Sequence, residues 1–267
     1  MTRRLQHLWR VWLTAVGYLA FAALCLSLSW ILLPLARLRQ RGEGRDLAAQ
    51  RSVHAACARY VGFLEWLGIL RASAIGAELL AAPGARLVVA NHPTLLDFVF
   101  LVALMPQADC IVSGVRADNP LLSGIVRAAR YVRNDEGREI VDECAARLRG
   151  GRALVIFPEG TRSPLRGMRP FQRGAARIAL EAGCDLQPVS IHCDPPTLRK
   201  GQKWYDVPDR PFRLSVRVLD GISTRAVRES LAGGRVTRSV AARRLTAELH
   251  EVLSKAKGME GADVGSA

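Results

Sequence analysis

From Val11 to Ala36 the chain carries no charged residue, and that run constrains the molecule before any fold is considered. A helix of about 20 apolar residues is long enough to cross the hydrocarbon core of a bilayer. Trp9 and Trp12 stand at one end of the run and Trp30 near the other, where indole rings favour the membrane interface. Arg3, Arg4 and Arg10 flank it on one side and Arg37, Arg39, Arg41 and Arg45 on the other. With both flanks positive, charge leaves the orientation open. Gly17 and Pro34 leave room for a re-entrant or interfacial hairpin in place of one straight span. A cleaved signal peptide fits less well, because the apolar region is too long and the small residues Ala20 and Ala22 fall inside it. Residues 1–45 are therefore read as a retained membrane anchor, a helix or helical hairpin.

The net charge of +14 raises the question of nucleic acid. Only four of the 38 basic residues are lysines, and the arginines are scattered along the chain. There is no zinc-ligand spacing, no basic recognition helix and no aromatic platform interleaved with basic residues, so no nucleic-acid partner is expected. A cationic surface facing anionic lipid accounts for the charge equally well. The six cysteines include no Cys-x-x-Cys pair, which argues against a zinc site and against a dense disulfide framework. They read as reduced thiols on the cytosolic side of a membrane. Nothing in the sequence calls for a metal.

Beyond the anchor, Val53, Cys57, Tyr60, Val61, Leu64 and Leu67 recur at intervals of three and four, which predicts a partly amphipathic helical region over 46–82. The pattern then changes to short apolar runs alternating with helix-length segments. Strands are expected near 86–90, 108–113, 153–157, 187–192 and 212–219, and helices near 94–105, 119–130, 137–149 and 171–182. This alternation reads as one α/β domain, a mixed sheet flanked by helices, over residues 46–257. A last helix is expected at about 236–256, and residues 258–267 read as a disordered tail.

Two of the expected strands end in polar turns. The first is "VVANHPTLLDFVFL", 88–101. On one continuous helix, positions five apart point about 140° from each other, so His92 and Asp97 meet only if the histidine precedes the helix. Pro93 favours this, because it restricts His92 to an extended conformation and suits a first helical turn. Asp97 can then reach back to the imidazole, hold one ring nitrogen as N–H and leave the other as a proton acceptor. Thr94-x-x-Asp97 also fits a helix capping box, in which Asp97 serves a backbone N–H and does no chemistry and His92 is a turn residue.

The second turn lies in "ALVIFPEGTRSP", 153–164. It places Glu159, Gly160, Thr161 and Arg162 at the carboxyl end of a strand, where open α/β sheets bind ligands. Gly160 permits close backbone approach, and Arg162 offers a planar fork to a phosphate or carboxylate. An ordinary turn with Glu159 paired to Arg162 is the alternative.

Together "NHPTLLD", 91–97, and "FPEGTRS", 157–163, resemble the glycerolipid acyltransferases of the lysophosphatidic acid acyltransferase family. The likeness extends through "NPLLSGIVRAARYVRND", 119–135, and "PVSIHC", 188–193, and covers a core of roughly 85–195. An N-terminal membrane segment is also typical of bacterial members. The resemblance implies that His92 is the general base on an acceptor hydroxyl, that Asp97 orients it, and that the oxygen attacks an acyl thioester. Glu159, Gly160, Thr161 and Arg162 would hold a phosphorylated acceptor, with Arg133 a weaker phosphate contact. The chain has no Gly-x-Ser-x-Gly elbow; "GISTR" at 221–225 lacks the second glycine, so a serine hydrolase is disfavoured.

The function this implies is a membrane-bound O-acyltransferase, using acyl carrier protein or acyl-CoA as co-substrate and no other cofactor. The implied acceptor is 1-acyl-glycerol-3-phosphate, the product phosphatidic acid, and the place the cytoplasmic side of the inner membrane. Pro93-Thr94 and "RADNP", 116–120, depart from the commoner family pattern and leave the acceptor open. A lyso-ornithine lipid or the lipid anchor of a specialised metabolite is the alternative within the class. A basic, membrane-anchored lipid-binding protein without catalysis is the alternative from another class.

Overall fold

The computed structural model describes residues 3–35, 44–134 and 139–263. Arg37, Arg39 and Arg41 of the expected anchor flank lie outside the described residues. The chain groups into two compact units. The first comprises 1–73, 94–135 and 193–215; the second comprises 74–93, 136–192 and 216–267. Residues 46–257, expected as one domain, are thus shared between the two. Among the described residues, seven strands belong to the sheet.

The first unit begins with α1 (Arg3–Ser27), which continues through a π-helical turn at Leu28–Leu32. The helical stretch Arg3–Leu35 is long and apolar enough to cross a membrane. One stripe of it is buried on the unit at Gly17, Cys25, Leu28 and Leu33. Gly17 sits there because a Cβ would come within 3.1 Å of the Leu64 side chain, and its carbonyl accepts the Tyr60 hydroxyl at 3.1 Å. Ser29 donates to the Leu121 carbonyl at 3.2 Å, and Arg10 Nε donates to the Pro208 carbonyl at 2.7 Å. The opposite stripe, with Trp9, Trp12, Leu19, Trp30 and Ile31, is exposed. An apolar face of this length left uncovered marks an interaction surface.

Helix α2 (Arg45–Trp66) follows, with Val53, Cys57, Tyr60, Val61 and Leu64 buried, as the three-and-four spacing predicts. The expected helical region did not run to 82. It stops where Gly68 takes φ +68°, a conformation that ends helices and suits glycine. The chain then forms β1 (Leu70–Ile75) and a single helical turn, α3 (Ala77–Ala81). The backbone donor of Phe212 reaches the Ile69 carbonyl at 3.1 Å, a non-local pairing that local periodicity does not report.

Strand β2 (Arg86–Ala90) is wholly apolar from Leu87 onward and those residues are fully buried, as expected of a strand covered on both faces. Helix α4 (Asp97–Leu104) begins three residues later than the sequence predicts. Helix α4, strand β3 (Asp109–Ser113), the turn α5 (Gly114–Ala117), α6 (Ser123–Ala129) and the short strand β4 (Val132–Asn134) belong to the first unit. There β3 and β4 run parallel, with Val112 opposite Arg133. Helix α7 (Glu139–Arg149), β5 (Ala153–Ile156), α8 (Gly174–Ala182) and β6 (Leu186–Asp194) follow.

In the second unit β2 lies parallel to both β5 and β6, with Val89 opposite Ile156 and opposite Pro188. After β7 (Phe212–Val218) come α9 (Arg225–Ala232) and α10 (Arg238–Asp263). Helix α10 runs past the end expected at 256, so residues 258–263 of the expected tail are helical. Residues 264–267 lie outside the described residues. None of the six cysteines is in a disulfide.

Candidate functional site

Register brings the two polar turns to one level. Because Val89 pairs with Ile156 on adjacent parallel strands, the chain leaves the sheet at Asn91–His92 and at Phe157–Pro158 side by side, at the strands' carboxyl ends. Asn91 continues the ladder with its side chain. Its Nδ2 donates to the Ile191 carbonyl at 2.7 Å, and its Oδ1 accepts the Ile191 N–H at 2.7 Å. An asparagine amide reproduces the donor and acceptor of a peptide group, so a buried residue past the strand end remains fixed to β6.

His92 follows and is half-buried. Its ring stacks on Phe157, with centroids 4.4 Å apart and planes 27° from parallel. Its backbone is bound at both ends by Ser163: the His92 N–H donates to Ser163 Oγ at 3.1 Å, and the Ser163 N–H donates to the His92 carbonyl at 2.7 Å. Ser163 Oγ in turn donates to Glu159 Oε1. The direction is forced, since a backbone N–H only donates and a carboxylate only accepts. The Glu159 charge therefore turns the hydroxyl so that its lone pair faces His92.

Glu159 is buried, and its second oxygen accepts the Arg169 N–H at 3.0 Å. Both Glu159 oxygens are thus engaged inside its own loop, where the expectation was a contact to a substrate. Gly160 takes φ +67°, and a Cβ there would lie 2.8 Å from Gln172 Nε2. The Gln172 N–H donates to the Pro158 carbonyl at 2.8 Å, closing the loop beneath that glycine. Thr161 and Arg162 are half-buried on the same turn. Lys257 of α10 donates to the Gly167 carbonyl at 2.6 Å and the Pro164 carbonyl at 3.3 Å. Burial lowers its pKa, partly offset by Glu159.

In the first unit, Asp97 opens α4 and is fully buried. Its Oδ2 accepts the Thr94 N–H at 2.7 Å and its Oδ1 accepts the Thr94 hydroxyl at 2.6 Å. Thr94 Oγ also accepts the Leu96 N–H at 3.0 Å, so its one proton goes to the carboxylate. The capping geometry is therefore present, and it makes the 94–97 turn rigid. Arg133 forms an exposed pair with Asp118 at 2.9 Å. Among the described residues no three His, Cys, Asp or Glu side chains gather as a metal site.

Thr94 was read as part of a capping box with Asp97, and its bonds to that carboxylate bear this out; Asn91, Ser163 and Lys257 had no assigned role. Ser163 stood inside the "FPEGTRS" block, and its position four residues after a glutamate was the available signal. Lys257 left none, because its partners are backbone carbonyls more than 80 residues away.

Residues 72–192 match a family model described as acyltransferase. Over 190 residues the chain is 33% identical to the lyso-ornithine lipid O-acyltransferase of Pseudomonas aeruginosa, covering 68% of each protein. It is 28% identical to the mouse 1-acyl-sn-glycerol-3-phosphate acyltransferase alpha, over 58% of this chain and 56% of that one. It spans 59% of a related Caenorhabditis elegans protein, acl-2. Both the mouse and worm relatives are therefore matched over less than two thirds of their length. The crystal structure of the 1-acyl-sn-glycerophosphate acyltransferase of Thermotoga maritima superposes with a TM-score of 0.67 at 18% identity, over 97% of this chain and 98% of that one. That likeness is one of fold.

Proposed function

Because this chain belongs to the glycerolipid acyltransferase family, we propose that it is a membrane-bound O-acyltransferase making phosphatidic acid from 1-acyl-glycerol-3-phosphate and an acyl thioester. His92 takes the proton of the acceptor hydroxyl, the hydroxyl oxygen attacks the thioester carbon, and the tetrahedral intermediate expels the thiolate, which receives the proton. A thiol pKa near 8.5 makes that leaving group good without strong acid assistance. Asp97 holds the turn that follows the base, and Thr161 and Arg162 take the acceptor phosphate, with Arg133 as a further contact. Glu159 and Gly160 shape the loop that presents them.

One observation carries this reading above others: the reciprocal pair of hydrogen bonds between His92 and Ser163. It ties His92 to the loop that carries Thr161 and Arg162, which supports a reading in which a base and a held acceptor meet. The exposed apolar stripe of α1 supports attachment to the membrane, where a single-chain lipid acceptor resides. The cytoplasmic face of the inner membrane is the side on which acyl carrier protein or acyl-CoA is met.

A second acceptor is favoured by the Pseudomonas aeruginosa relative, whose name gives a lyso-ornithine lipid as its acceptor. The test is acyl transfer from labelled acyl carrier protein or acyl-CoA to lysophosphatidic acid and, separately, to lyso-ornithine lipid, with the parent protein and a His92→Ala variant. Phosphatidic acid made by the parent alone supports the reading. Transfer only to lyso-ornithine lipid moves the acceptor and keeps the chemistry. No transfer to any lipid, with lipid binding retained, leaves a binding protein.

A further inference from the structure

Among the described residues, Arg199 Nε is the one buried side-chain nitrogen or oxygen with no hydrogen-bond partner. A buried, unsatisfied N–H is uncommon in folded proteins and calls for an explanation, the more so on a permanent cation. The residue before it adds a second unusual feature. Leu198 has φ +54°, a left-handed conformation that a branched side chain adopts rarely and at a cost, and that clusters at ligand-binding segments.

The surrounding backbone is firmly held. The Arg199 N–H donates to Gln202 Oε1 at 3.1 Å, and its carbonyl accepts the Gln202 N–H at 3.2 Å. Thr197 is buried. The Leu198 carbonyl accepts the N–H of Leu95 at 3.2 Å, so within the first unit this segment is tied to the turn of Thr94 and Asp97. The backbone that carries the guanidinium is thus tied to the turn of Thr94 and Asp97, and among the described residues its Nε has no hydrogen-bond partner. The residue is only half-buried, and the neighbouring Lys200 and Lys203 are exposed and basic.

We propose that Arg199 binds a phosphate group of one of the two substrates, a contact that rests on the acyl-transfer reading and adds to it a cation outside the recognised motifs. A phosphate oxygen at Nε satisfies the buried donor, and the planar fork suits two parallel bonds. The same chemistry is offered by the phosphate of a lysophospholipid headgroup and by the phosphates of a pantetheine-bearing donor.

The experiment compares the parent protein with Arg199→Gln in steady-state assays, using matched substrates with and without phosphate. Lysophosphatidic acid is paired with monoacylglycerol on the acceptor side, and acyl-CoA with acyl-pantetheine on the donor side. Arg199→Gln is expected to raise KM about tenfold or more for one phosphate-bearing substrate, the size of a lost charge-assisted hydrogen bond. Its phosphate-free analogue is unaffected, and Tm is not lowered. A change confined to lysophosphatidic acid assigns the headgroup; one confined to acyl-CoA assigns the donor.

Equal losses with and without phosphate, or no change in either KM, overturn the proposal. Thermal shifts with lysophosphatidic acid, acyl-CoA and their phosphate-free partners give a readout independent of turnover. If the parent transfers no acyl group yet shows a phosphate-dependent shift that Arg199→Gln removes, the assigned reaction fails and the Arg199 contact stands. Should that variant not fold, Arg199→Lys keeps the charge but loses the fork, and the same pattern of KM values decides.

Discussion

Ser163 and His92 exchange two backbone-directed hydrogen bonds, His92 N–H to Ser163 Oγ at 3.1 Å and Ser163 N–H to the His92 carbonyl at 2.7 Å. They lie 71 residues apart in sequence. The pair makes the histidine's main chain part of the same rigid loop as Glu159 through Arg162. On the proposed reaction Ser163 would be a positioning residue, acting through its bonds to His92 and Glu159.

Removing its hydroxyl separates these ties. Ser163→Ala leaves the His92 N–H and one Glu159 oxygen without a partner, at a cost of about 1–3 kcal/mol. The expected result is a lower Tm and a kcat reduced by about tenfold to a hundredfold, with the KM for the acceptor changed little. Ser163→Thr retains the hydroxyl and is expected to recover part of kcat. A fall in Tm with unaltered kcat would show that Ser163 holds the loop and not the base.

Asp97→Asn tests the other turn. Both carboxylate oxygens accept from Thr94, and an amide offers only one acceptor, so its NH2 faces a donor. The variant is expected to lose about 1–3 kcal/mol of stability together with activity. Chemical denaturation and acyl transfer, measured on one preparation, check both. Full activity at reduced stability would leave Asp97 with the capping role alone.

Lys257 joins α10 to the segment just after the "FPEGTRS" block. In Lys257→Met the Pro164 and Gly167 carbonyls lose a charged donor, a loss of about 1.5–3 kcal/mol for bonds of this type. Faster limited proteolysis between 164 and 168 is expected, with kcat/KM falling several-fold. Unchanged cleavage in that segment would show that the loop holds itself.

Burial raises the Cys193 thiol pKa to about 12 from 9.0, and nearby Asp97 adds to the rise. The folded state thus keeps a proton that the unfolded chain releases above pH 9. The thiol's contribution to stability is complete below that pH and declines as pH rises toward 12, by at most about 1.4 kcal/mol per pH unit. Denaturation curves between pH 8 and 11 are expected to be flatter for Cys193→Ala than for the parent. Parallel curves would mean that the thiol titrates alike in both states.

Much of the sheet was legible because buried parallel strands are short, wholly apolar runs. Strand β2 ends at Ala90 as read, and β5 and β6 lie within a residue or two of expectation. Strand β1 was missed because its main signal is non-local: the donor of Phe212 reaches the Ile69 carbonyl, and Gly68, which ends α2, reads in sequence as one more tolerated glycine. Strand β4, three residues long, has no period to detect. The motifs of the two polar turns were legible, whereas their internal wiring was not. Whether Glu159 faces a ligand or its own loop depends on Ser163 and Arg169, which reach it only once the chain turns.

The sequence by itself determined the apolar N-terminal run, the α/β alternation and the residue types at the two strand ends, because each is written in neighbours a few positions apart. Tertiary structure alone decided which stripe of α1 is covered, that Ser163 holds His92, that Lys257 holds the following loop, and that Arg199 Nε is buried without a partner among the described residues. These depend on pairing register and on chain segments tens of residues distant, where hydrogen-bond direction and burial are set by what the fold places alongside.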